Sequence, residues 1–254
     1  LGTKLRTGMQ TMLVCCLVQN GMAQSTTGAL HLTTNDAIAL PCTQRESAQW
    51  TFCAWPAPFG ETQITNIMVC WYPAKLNTLF AIGGMATSEW MDLTTTASRA
   101  WNVTDQFMCG VRGRVHAWGA RGFQTTFDAG IDVQSSVRLD SSWMFGISVR
   151  ELLGIENAGL PLMRTLQVGI AYTGSVTLAL DVISGFKSDA GIQLAALIPF
   201  HQQVTSRLRI LTEPLSAAID TQVDVGDVLI TLLVEHIVAV GSSLGLVIEL
   251  PITE

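Results

Sequence analysis

The sequence predicts an all-β fold, an antiparallel transmembrane β-barrel of about 14 strands. Three observations predict it. From Ser47 onward the chain breaks into short segments with a period of two, separated by clusters of Gly, Pro, Asn, Asp and Ser. That pattern belongs to strands whose two faces meet different environments. The non-apolar faces carry Gly, Ala, Ser, Thr and Gln rather than Lys and Glu, as a crowded or water-lined barrel interior requires and a soluble exterior does not. Finally, only 13% of the 254 residues are charged, against about a quarter in ordinary soluble domains. The chain has no apolar run long enough for a membrane helix, so it would enter a bilayer only as a closed barrel whose backbone groups pair between strands.

The elements follow in order. Residues 1–23 open with Lys4 and Arg6, continue through the apolar run Met12 to Val18, and end in Gly21, Met22 and Ala23. This is the layout of a secretory signal peptide, with cleavage expected after Ala23. Residues 24–46 form an N-terminal segment or plug. Cys15 and Cys16 fall in the signal peptide, leaving Cys42, Cys53, Cys70 and Cys109. Their spacings fit neither a zinc ribbon nor a Cys-x-x-Cys redox site, and they read as small hydrophobes on strand faces, with disulfide pairing left open.

The barrel is expected over 47–254. Its first strands are Ser47–Trp55, Ile64–Tyr72, Asn77–Met85 and Met91–Trp101. In Gln106–Trp118, Phe107, Cys109, Val111, Val115 and Ala117 oppose Gly110, Arg112, Arg114 and His116. In Phe123–Ser135, Phe127, Ala129, Ile131 and Val133 oppose Asp128, Gly130, Asp132 and Gln134, the clearest alternation in the chain. Trp143–Leu152 sets Phe145, Ile147 and Val149 against Gly146, Ser148 and Arg150, and the Gly- and Pro-bearing stretch Leu152–Arg164 reads as a long loop. Thr165–Thr173 and Ser175–Ile183 follow, the latter with Asp181 on its polar face. Ala190–Phe200 precedes Thr205–Leu211, where Leu208 and Ile210 alternate with Arg207 and Arg209. Ser216–Val225 carries Asp220 and Asp224 opposite Ile219 and Val223. Asp227–Ile237 is apolar on both faces until Glu235, and Ser243–Ile252 sets Leu244, Leu246, Ile248 and Leu250 against Gly245 and Glu249. The total of about fourteen is even, as in bacterial transmembrane barrels.

The polar parity defines the lumen-facing candidates: Arg112, Arg114, His116, Asp128, Asp132, Arg150, Asp181, Arg207, Arg209, Asp220, Asp224 and Glu249. On the lipid face each charge would cost about 2–4 kcal/mol at the midplane, so the interior is where they survive. Arg112 and Arg114 are expected to face Asp128 and Asp132 across neighbouring strands. Such pairs either rigidify the barrel or act as a selectivity filter, while a mainly apolar lumen with a few of them suits a hydrophobic ligand. Trp50, Trp55, Trp71, Trp90, Trp101, Trp118 and Trp143 fall near strand ends, as an interfacial girdle wants.

Chemistry is not indicated. His31, His116, His201 and His236 lack metal-ligand spacing, and neither a Gly-x-Ser-x-Gly elbow nor a phosphate-binding loop occurs. No catalytic role, metal or cofactor is expected. With 20 acidic residues to 14 basic ones and a net charge of −6, nucleic acid is excluded as a natural partner.

Leu160 to Tyr172 (LPLMRTLQVGIAY) and Val176 to Val182 (VTLALDV), followed by Arg207, Leu208, Arg209, by Glu213 to Ala217, and by a turn at His236, resemble successive segments of the PorV/PorQ-like outer-membrane proteins, relatives of the FadL-type transporters. The resemblance covers about Trp101 to Leu250. Asn35 to Leu40 is similar to a segment that precedes an Asn-Pro-Ala motif in that family, but here Pro41 and Cys42 follow. The resemblance implies a barrel in the outer membrane of a Gram-negative-type envelope, in contact with its lipid. It implies one of two roles: an accessory or shuttle component of type IX secretion with secretion-system or exported-protein partners, or a FadL-like channel for a hydrophobic ligand. A soluble exported β-sandwich that binds another molecule is the remaining reading of the same alternation.

Overall fold

The computed structural model describes residues 49–56, 65–73, 78–87, 89–155, 164–185, 190–213, 215–238 and 241–252. The signal peptide expected over 1–23 and the plug over 24–46, with His31 and Cys42, lie outside the described residues, as do 160–163 of the resembling segment and the side chain of Trp55.

The described chain contains fourteen strands: β1 Gln49–Pro56, β2 Thr65–Tyr72, β3 Thr78–Ala86, β4 Trp90–Asn102, β5 Phe107–Ala120, β6 Thr126–Arg138, β7 Trp143–Ile155, β8 Thr165–Thr173, β9 Thr177–Gly185, β10 Gly191–His201, β11 Val204–Thr212, β12 Leu215–Val225, β13 Val228–Ile237 and β14 Gly241–Pro251. Each pairs antiparallel with its neighbours in sequence, and β1 pairs with β14 from Gln49↔Pro251 to Ala54↔Leu246. The sheet is therefore a closed barrel with no edge strand, and its ladder hydrogen bonds run from strand to strand. This replaces the β-sandwich reading: alternation demands two environments, and one ring supplies them as inside and outside, with no second sheet.

Its faces are inverted relative to a soluble protein. Outward side chains such as Phe52, Ile82, Val115, Leu180, Leu194 and Ile210 are exposed and apolar, whereas Thr51, Asp132, Gln134, Ser148 and Asp181 are each 1% exposed. The fold and this apolar exterior are those of outer-membrane β-barrels.

Both ends of the chain's ring, Gln49 and Pro251, lie at one rim. Connections at that rim are short, down to residues 202–203 and 226–227, while the longer segments 57–64 and 156–164 join strands at the opposite rim. The turns are set locally. Thr104 Oγ1 accepts from the amides of Gln106 and Phe107 (3.2 and 2.9 Å), and Asp140 Oδ1 from those of Ser142 and Trp143 (2.7 and 2.8 Å). Side chains that mimic a backbone turn in this way pin the hairpin register. Gly226 supplies the positive φ (68°) of the β12–β13 turn.

Aromatic residues mark the terminal rim on the outside. Trp50 stacks on Trp71 (ring centroids 6.0 Å), Trp71 on Phe80 (5.7 Å), and Trp143 meets Tyr172 (5.1 Å). With exposed Trp101 they form the girdle that a membrane interface selects. Trp90 and Trp118 are a correction to the girdle expectation: they stack on each other at 5.4 Å inside the barrel near the opposite rim. They share strand-end positions with the girdle tryptophans but sit on the other parity.

The strand bounds differ from the sequence expectation most at β6, which runs Thr126–Arg138 instead of Phe123–Ser135, and at β7, which continues to Ile155 instead of stopping at Leu152. Val133 pairs with Val149 and Ile131 with Leu153, so residues 150–152 oppose Asp132 alone. This bulge breaks the alternation without ending the strand. Glu151, within it, has φ 53°.

Candidate functional site

The charged side chains of the barrel interior concentrate in two sectors. The first charged sector spans β4 to β7. Register places Arg112 opposite Asp132 and His116 opposite Asp128 on β6, and His116 opposite Thr94 on β4. Arg112 Nε donates to Asp132 Oδ2 at 2.7 Å and its Nη2 to the same oxygen, while the amide of Glu151 donates to Oδ1 at 2.8 Å. The bulge thus turns Glu151 inward, where its carboxylate pairs with Arg114. Asp128 lies 3.9 Å from the Arg114 guanidinium, so Arg114 bridges two carboxylates. His116 does likewise: Nδ1 lies 2.8 Å from Asp128 and Nε2 3.0 Å from Asp92 on β4. Arg150, half-buried, stands next to Glu151 and opposite Thr165.

The second charged sector spans β11 to β13. Arg207 Nε donates to Asp220 Oδ2 at 2.7 Å across a direct register pair, and Arg209 lies 3.9 Å from the same oxygen. Arg209 and Glu235 flank Ala218 from its two sides. Near the terminal rim, Gln49 Nε2 donates to buried Glu249 at 2.6 Å. Asp181 is buried between Gln193 and Gly169. Asp224 departs from the group: it keeps the inward parity but is the penultimate residue of β12 beside the turn and is exposed at the rim.

Asp92, Glu151 and Glu235 join the network without having been singled out by sequence. Asp92 carried a signal, because its even position on β4 continues the parity of His116 across one register step. Glu151 carried none, since a regular strand would turn it toward lipid. Among the described residues no group of three or more His, Cys, Asp and Glu side chains is arranged to hold a metal ion.

Alongside these polar groups, and among buried polar residues such as Thr51, Gln167, Gln193 and Ser243, the inner wall carries two apolar clusters. On one side Cys53, Cys70, Ala81, Trp90, Ala218 and Leu233 form one buried cluster, with Leu79, Trp118 and Val247 packed against it. Leu79 is the second residue of β3 at the terminal rim and Trp90 starts β4 at the other, so this cluster reaches from one rim to the other. Cys53 and Cys70 are thiols rather than disulfide halves and act as small hydrophobes here. Across the ring, Ala171, Ala179 and Ala195 stand in one row over β8, β9 and β10, with Met144 against them.

No protein-family model matches the sequence, and no curated protein matches it. Solved structures do resemble the fold. The CymD monoaromatic hydrocarbon channel superposes with a TM-score of 0.61 at 9% identity, covering 89% of this chain and 94% of that one. The Pseudomonas putida toluene transporter TodX gives 0.54 at 9%, covering 84% and 92%. An Acinetobacter baumannii outer membrane protein gives 0.51 at 7%, covering 81% and 98%.

Proposed function

We propose that this barrel passes hydrophobic small molecules across the outer membrane and has no catalytic role. The observation that carries the reading is the apolar strip from Leu79 to the stacked Trp90 and Trp118, which follows the wall from rim to rim beside a charged sector. An apolar solute needs such a surface, since a lumen lined throughout by charges would hold ordered water against it. Likeness of fold to channels described as carrying monoaromatic hydrocarbons adds to the reading. The ion pairs of β4–β7 and β11–β13 serve as struts that keep the two flanks apart.

The test is uptake. Cells lacking their own hydrocarbon and fatty acid channels, expressing this barrel, are given radiolabelled toluene and, separately, a labelled long-chain fatty acid. Faster accumulation of either than in empty-vector cells supports the reading, and unchanged accumulation of both from a folded barrel overturns it.

The second reading, an accessory component of type IX secretion, is favoured by the resemblance of Val176 to Val182 and its neighbours to PorV/PorQ-like proteins. It expects exported proteins to crosslink to the barrel in intact cells and expects no uptake.

A further inference from the structure

The outer wall carries a groove that the proposed transport does not use. Two adjacent register rows cross seven strands. One runs Trp50, Trp71, Phe80, Ala97, Gly113, Ile131, Leu153, and the row above it includes Ile82, Thr95, Val115 and Ala129. Large side chains stand at both ends of these rows, the aromatic stack on β1–β3 and Leu153 with Ile155 on β7. Between them Thr95, Ala97, Gly113 and Ala129 are small. The result is an outward-facing depression of about 860 Å³, within the ~300–1,000 Å³ of small-ligand sites. At Gly113 the floor is set by a missing side chain: a Cβ there would meet nothing nearer than the Ala97 carbonyl oxygen at 4.0 Å.

One step below the floor on β4 lies Arg99, exposed and outward, its guanidinium 5.6 Å from the centroid of the Trp101 ring. Among the described strand residues it is the one arginine, lysine, aspartate or glutamate that points outward, since the bulge turns Glu151 inward. A lone charge on the lipid face is tolerated near an interface and costly deeper in the bilayer. Trp101 and the turn at 103–106 put Arg99 at the interface on the terminal side. We propose that the groove and Arg99 together form a binding site for one phospholipid, with an acyl chain over Ala97, Gly113 and Thr95 and the phosphate on the Arg99 guanidinium.

Length, charge and shape agree on this occupant. From Arg99 to Leu93, the outward residues of β4 cover about 20 Å of strand at ~3.4 Å per residue. At the usual ~40° tilt that is roughly 15 Å of depth, about one leaflet. Guanidinium matches phosphate in charge and in its paired donors. A second copy of the chain fits less well, because a two-fold contact sets the same patch against itself, and two depressions face to face enclose a void.

The experiment uses the intact barrel extracted from membranes in mild detergent. Bound phospholipid is counted by native mass spectrometry and by phosphate assay after extensive detergent washing. Four forms are compared: the unaltered chain, Arg99→Gln, the groove-filling Gly113→Leu, and Leu194→Ala on the far wall as control. Ala97→Leu replaces Gly113→Leu if the latter fails to show heat-modifiable migration. The unaltered and control barrels are expected to keep one phospholipid, the Arg99 variant to lose it roughly tenfold more readily, the factor expected for one charge-assisted hydrogen bond, and the groove variant to lose it because leucine fills the space of the acyl chain. Equal retention by all four forms, no retained lipid in the unaltered barrel, or a two-chain mass in place of a lipid adduct would each overturn the proposal. The assay reads lipid rather than uptake, so its failure leaves the transport reading standing.

Discussion

Arg112 on β5 and Asp132 on β6 form a buried pair whose carboxylate is also held by the third strand, through the amide of Glu151 on β7. Three strands therefore share one anion. Removing it takes the carboxylate from a buried guanidinium and the acceptor from the Glu151 amide, so Asp132→Ala is expected to cost about 3–5 kcal/mol, whereas replacing both partners by Met and Leu costs much less. Urea unfolding of the barrel in detergent checks this. A loss below about 1 kcal/mol for the single variant would mean that lumen water solvates Arg112 as well as Asp132 does.

Glu151 combines an ion pair to Arg114 with a left-handed backbone. Glycine adopts that backbone without penalty, while alanine bears roughly 1 kcal/mol or more of strain. Both replacements lose the pair, so Glu151→Gly should exceed Glu151→Ala in stability by about that amount. Equal stabilities in the same unfolding assay would remove the backbone argument for the bulge.

Trp90 and Trp118 face the lumen, whereas Trp71 faces out. If the strip they begin carries apolar solutes, Trp118→Ala should slow toluene or fatty acid uptake several-fold, the consequence of losing about 1 kcal/mol of aromatic contact. Trp71→Ala should leave uptake unchanged while weakening the girdle. A reversed pattern would point to the outer wall as the route.

The lipid face sets a depth profile for charge. Leu180 lies at the middle of β9 and Val225 at the end of β12, both exposed and outward. Leu180→Arg is expected to destabilise by about 2–4 kcal/mol and Val225→Arg by about 0–1 kcal/mol in a bilayer of ordinary thickness. Folding titrations into liposomes measure both, and equal penalties would contradict the membrane orientation of the strands.

The short-turn rim, which includes Asp227, should face the periplasm, and the rim that includes Arg121 the outside. A membrane-impermeant maleimide applied to intact cells should therefore label Arg121→Cys and spare Asp227→Cys until the cells are lysed. Labelling in the opposite order would invert the barrel.

The amino-acid order alone determined the number of strands, most of their bounds and which residues of a strand share a face, because a period of two is a local property that a few residues suffice to express. It also made Arg207 and Asp220 inward residues on consecutive strands, leaving only their register to be found. The rest depended on contacts between distant segments. Closure of β1 on β14 separated barrel from sandwich, since both satisfy the same alternation. The bulge opposite Asp132 turned Glu151 inward against its expected parity, and it joined Asp128, Arg114 and Glu151 into one cluster. Parity put Trp90 inside and Trp71 outside although both end strands, and only neighbouring strands reveal which parity faces lipid. The groove at Gly113 depends on seven strands in register, a relation spread over more than a hundred residues of chain. Alternation fixes which way a side chain points, but what it meets there is decided by which strands lie beside it.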